Sequence, residues 1–151
     1  MKKLSSLIIL SLLSGNLLYA KKERSAEQIW QKKCAMCHNL NKPNNDMEKK
    51  AMVAPPIYLA MKSVVVTVDA VEGPFNPKEL REESIEVLKD FIYYPTRDKV
   101  NCEDKMINKF GMMPSLKGFI SQKELDKVVP WVYDKFKPTI IDGKFVPREE
   151  D

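Results

Sequence analysis

Near the start of the chain stand two cysteines three positions apart, with a histidine directly after the second: Cys34-Ala35-Met36-Cys37-His38. These residue types at this spacing read as a c-type haem attachment site. Each thiol adds across one vinyl group of a haem, and the adjacent imidazole lies under the iron as an axial ligand. Two other chemistries use paired cysteines. A dithiol redox pair is expected in a βαβ context, and no such pattern surrounds these residues. A structural zinc site takes four nitrogen or sulfur ligands. Three Cys and one His in the whole chain make one such set, but Cys102 lies far off in a charged segment. Haem attachment is the favoured reading.

His38 is the only histidine, so two histidines of one chain cannot both hold the iron. A methionine thioether is the remaining strong candidate for the sixth position. Eight methionines compete. Met113 is best placed: Gly111 and Pro114 flank it in a turn-rich segment, and it is distant in sequence from His38. Met112 is the alternative. Met47, Met52, Met61 and Met106 read as core or loop filling.

The elements that position these groups are legible. Ser25-Ala26-Glu27-Gln28 is a capping box opening a first helix, with Ser25 as N-cap. Trp30 lies one turn before Cys34 on the same face, and the last turn is expected to deliver both thiols and His38. A loop follows, with a short helix over Asp46 to Val53, ended by Pro55-Pro56. Ile57 to Ala70 is apolar and β-branched. Val64 to Val68 scores as a strand, yet a lone strand has nothing to pair with, so a helix is expected. After a Gly73-Pro74 turn, Asn76-Pro77-Lys78-Glu79 starts a helix that Pro95 ends at about Tyr94. A short helix over Glu103 to Phe110 stops at Gly111. Ser121-Gln122-Lys123-Glu124 caps the last helix, whose buried face is Leu125, Val128, Val129, Val132 and Phe136, with Pro130 inside it. The tail 137–151 is polar, and Asp142-Gly143 suits a small hairpin.

The ends bear on compartment. Met1-Lys2-Lys3, an apolar run to Leu18 and Tyr19-Ala20 read as a signal peptide over residues 1–20, cleaved after Ala20. An uncleaved anchor is the alternative; the run is short and diluted by serines. Residues 21–151 would form one domain. The formal charge of +4 falls to +2 once Lys2 and Lys3 leave. With no basic stripe, nucleic acid is not an expected partner. Cys102 then has no partner within the chain. It reads as an inert buried thiol or as one that bridges to another molecule.

On these residues the chain resembles a class I monohaem cytochrome c of the small bacterial type. The resemblance runs through Cys34–His38, Met113-Pro114, the capped terminal helix, and an aromatic, Trp30, one turn before the first haem cysteine. It implies an all-α fold in which the first and last helices cross around one covalent haem c, with Trp131 supplying the aromatic partner of Trp30. It also implies that a proline carbonyl after the motif accepts a hydrogen bond from the ligating histidine. Ala54-Pro55-Pro56-Ile57 matches with Pro55, although Ala54 stands where a glycine is usual. The chain is long for that family, and residues 58–100 hold more helix than a minimal member needs.

The implied site is therefore Cys34 and Cys37 for covalent haem c, His38 and Met113 as axial ligands of the iron, and Pro55 behind His38. Such an iron has no open position, which implies a periplasmic electron carrier and no enzyme. The partners would be redox proteins: a cytochrome complex, a terminal oxidase or a haem peroxidase. A monomer is expected, with membrane contact only if the N-terminal segment is retained. The alternatives are a haem-based sensor or peroxidase-like protein with a labile sixth ligand, and a thiol–disulfide oxidoreductase using Cys34 and Cys37.

Overall fold

The computed structural model describes residues 23–72, 76–141 and 144–146. The expected signal peptide over 1–20 and the Gly73-Pro74 and Asp142-Gly143 turns lie outside these residues. The described chain is mostly helical. Its α-helices are α1 (Ala26–Lys33), α2 (Asp46–Ala51), α3 (Ile57–Glu72), α4 (Pro77–Tyr93), α5 (Asp104–Phe110) and α6 (Gln122–Phe136). A 3₁₀ turn spans Arg97–Lys99. Strands β1 (Thr139–Ile141) and β2 (Lys144–Val146) pair antiparallel, with Ile140 opposite Phe145, so the tail forms the hairpin its turn chemistry suggested.

Three helix starts follow from local side-chain chemistry. Capping boxes at Ser25, Asn76 and Ser121 each satisfy two backbone N–H groups that a helix leaves orphaned. Helix α3 overrides its β propensity because of its spacing. Met61, Val64, Val65 and Val68 fall at i, i+3, i+4 and i+7, and all are buried. Pro130 sits inside α6 without ending it. Leu125, Val128, Val129, Val132 and Phe136 bury one continuous face, which outweighs the lost hydrogen bond.

The core joins α1, α3, α4 and α6, with Trp30, Met61, Leu80, Val129 and Phe136 among its buried members. Helix α1 packs on α6. The Trp30 ring lies 6.1 Å from that of Trp131 and 6.0 Å from that of Phe136, both tilted. Arg24 adds an ion pair to Glu124 at 2.7 Å at the start of both helices. Helix α4 is clamped to α6 by a two-pronged Arg81–Asp134 pair at 2.8 and 2.7 Å. No helix of the described residues is long and apolar enough to cross a membrane.

Candidate functional site

Helix α1 ends earlier than its sequence suggests. Its last residue is Lys33, and Cys34 is the C-cap. The thiols and His38 therefore do not all come from its last turn. Trp30 O accepts from Cys34 N and Ala35 N at 2.9 and 3.0 Å, and Cys34 O accepts from Cys37 N and His38 N at 3.1 and 3.0 Å. The chain wraps into a tight turn beyond the helix, and that turn carries Cys37 and His38. Cys34 is half-buried and Cys37 exposed, and the three cysteines carry no disulfide.

Two hydrogen bonds hold the next residues against the start of α3. His38 Nδ1 lies 2.8 Å from Pro55 O. A carbonyl only accepts, so Nδ1 carries the proton and Nε2 keeps its lone pair. Ile57 N donates to Asn39 O at 3.1 Å beside it. The His38–Pro55 bond is the proline contact that the sequence resemblance implies. Burial pushes the His38 imidazole below its ordinary 6.5, and the Pro55 bond opposes that only in part. The ring is thus neutral at pH 7, the form that ligates a metal.

His38, both motif cysteines and Pro55 open on one cavity of about 280 Å³. Met112 and Met113 line the same cavity, so the fold brings together groups 57 residues or more apart in sequence. Of the two methionines Met112 is the more exposed, at 36 %, while Met113 is half-buried against Val64, Phe91 and Val100. Among the described residues that line the cavity, Lys33 is the only charged one. Its Nζ donates to Phe119 O at 2.5 Å and lies 3.9 Å from the Phe119 ring centroid. Among the described residues, no three His, Cys, Asp or Glu side chains gather as a metal ion would need.

The Met113 segment is held by the end of α4. Leu116 N donates to Ile92 O at 3.0 Å, and Ser115 Oγ donates to Tyr93 O at 2.6 Å. These bonds use carbonyls that the last turn of a helix leaves without partners. Gly111 redirects the chain from α5 into this segment with φ 71 and ψ −171, a region open essentially to glycine alone. A Cβ there would meet no atom within 4 Å, so the cost of a side chain is backbone strain. Gly111→Ala should lower stability by about 1–3 kcal/mol, measured by urea unfolding.

The wider comparisons name no activity. No family model matches the chain, and no solved structure matches it. The chain is 29 % identical over 116 residues to an uncharacterized protein of Aquifex aeolicus (strain VF5), covering 73 % of this chain and 72 % of that one.

Several cavity residues were not legible from spacing. Helix α3 supplies Ala60, Met61, Ser63 and Val64, and α4 supplies Leu88, Phe91 and Ile92. The apolar face of each helix was visible, but not which part of it stays uncovered by other helices. Met61 lines the cavity yet is buried in the core, and Met106 of α5 lines it as well. Cys102 also reaches this cavity, and it is half-buried rather than buried.

Proposed function

We propose that the protein is a one-electron carrier holding a single covalent haem c, built on the plan of a class I monohaem cytochrome c. The observation that carries this reading is the convergence of Cys34, Cys37, His38 and Met113 on one apolar cavity. The residues fit a haem: a large flat apolar group needs apolar walls, two thiols for its vinyl groups, and soft or imidazole ligands for iron. The packing of α1 on α6 through Trp30 and Trp131 is consistent with the same plan.

The haem, when bound, supplies the iron that gains and loses the electron. The chain supplies everything else. Cys34 and Cys37 tether the group. Pro55 O accepts from His38 Nδ1, which fixes the ring and makes Nε2 a better donor. Met113 offers a thioether, which favours the ferrous form and raises the potential. The apolar walls exclude water and make a net charge on the iron costly, which acts in the same direction. Cys37 is exposed, so a redox protein docking on that side would come near a haem tethered there. We assign the carrier to the periplasm, with a cytochrome complex, terminal oxidase or haem peroxidase as its class of partner.

The cysteines weigh against the dithiol reading. Burial, aided by the neighbouring Cys37, pushes the Cys34 thiol up to about 11. Redox dithiols need the opposite, a thiol pulled down so that it attacks as thiolate.

The test is the absorption spectrum of protein matured with haem-attachment machinery. A c-type reduced spectrum is expected, with a weak near-infrared thioether band in the oxidised form. Met113→Ala should abolish that band and lower the potential, whereas Met112→Ala should keep it. Rapid carbon monoxide binding to the native ferrous protein would sink the carrier reading. Loss of the band in Met112→Ala alone would move the ligand to Met112.

A further inference from the structure

Cys102 is the one cysteine the attachment motif leaves unassigned. The fold carries it to the wall of the cavity that Met113 occupies. Both pack against the small cluster of Val64, Phe91 and Val100, and both line the cavity shared by Cys34, Cys37 and His38. The position is built from several bonds. Cys102 N donates to Val100 O at 2.8 Å in a three-residue turn. Asn101 N, just before it, donates to Thr67 Oγ1 of α3 at 2.6 Å. Burial pushes the Cys102 thiol above its ordinary value, and the Ser63 hydroxyl, one turn earlier on α3, opposes that only in part.

Helix α3 thus holds Cys102 against the cavity wall, which gives a use to the helix that makes the chain long. Cys102 also lines a separate polar surface cleft with Thr67, Asn101 and Glu103, so the thiol stands between the cavity and solvent. The indole N–H of Trp30, which also lines the cavity, is buried with no hydrogen-bond partner among the described residues.

We propose that Cys102 is a second sulfur ligand, able to replace Met113 on the ferric iron of the haem-loaded protein. The inference rests on the haem reading above. In the exchange the iron–thioether bond breaks, an iron–thiolate bond forms, and the thiol proton leaves by the polar cleft. No electron moves. A thiolate pushes electron density onto iron where a thioether favours the ferrous form. The exchange therefore lowers the potential and takes the carrier out of high-potential transfer, without unfolding it.

The experiment compares ferric Met113→Ala with Met113→Ala/Cys102→Ser, both as full chains matured with haem, by low-temperature electron paramagnetic resonance and absorption. The single variant should be low-spin with a thiolate signature. The double variant should lose that signature, turn high-spin and take up added imidazole. A single variant that is high-spin whatever residue stands at 102 overturns the inference and leaves the carrier reading intact. A chain that takes up no haem overturns both. Met113→Leu, which keeps the packing of the wall, carries the same comparison if the alanine variant does not accumulate.

Discussion

Replacing Cys34 and Cys37 together by serine should leave the chain with no covalently attached haem. A thioether forms only from a thiol, and a serine hydroxyl is too weak a nucleophile to add to a vinyl group in its place. Everything else that favours the group remains: the apolar cavity, His38 with its Pro55 bond, and Met113. The expected result is therefore specific. The mass gained on maturation disappears, haem staining on a denaturing gel is lost, and any haem still bound is removed by acid extraction. Each single serine variant should keep one thioether and give a reduced band displaced from that of the native protein. Covalent haem persisting in the double variant would show that the attachment reading is wrong. The half-buried position of Cys34 and the exposed position of Cys37 add an order to the single variants. Cys34→Ser should cost more, because it also places a hydroxyl where burial disfavours polar groups.

Trp30→Ala should cost about 3–5 kcal/mol of folding stability, the range for truncating a large buried aromatic. Trp30 is 1 % exposed and packs near the rings of both Trp131 and Phe136, so it is a large apolar contact by which α1 docks on α6. Small domains have only about 5–15 kcal/mol in total. The variant should therefore unfold at a much lower urea concentration with a similar slope. Trp30→Phe should recover much of the loss, since a ring still fills the space. The effect reaches the site because Trp30 O holds Cys34 N and Ala35 N. Haem attachment yield should fall in Trp30→Ala although every ligand is intact. Stability unchanged in that variant would mean that the α1–α6 contact is not what positions the attachment turn.

The helices were readable where one local rule decided the matter. Ser25, Asn76 and Ser121 announce their helices because capping is chemistry among residues three apart. Gly111 marks the end of α5 because few other residues tolerate its backbone angles. Helix α1 is one turn shorter than its sequence predicts. Capping at its C-terminus depends on which carbonyls the following turn can use, and the Cys34–His38 turn takes Trp30 O and Cys34 O for itself.

By itself the sequence determined the chemistry on offer: two thiols and an imidazole at one spacing, a single histidine, and methionines as the remaining soft ligands. These are properties of residue type and short separation, and no fold changes them. Only the tertiary structure decided which methionines and which cysteine share a cavity with His38. Met113 arrives because Leu116 and Ser115 bond the free carbonyls at the end of α4. Cys102 arrives because Asn101 bonds Thr67, 34 residues earlier. Such contacts depend on how helices pack over long separations, where many partners satisfy the same local pattern and only the assembled core selects one.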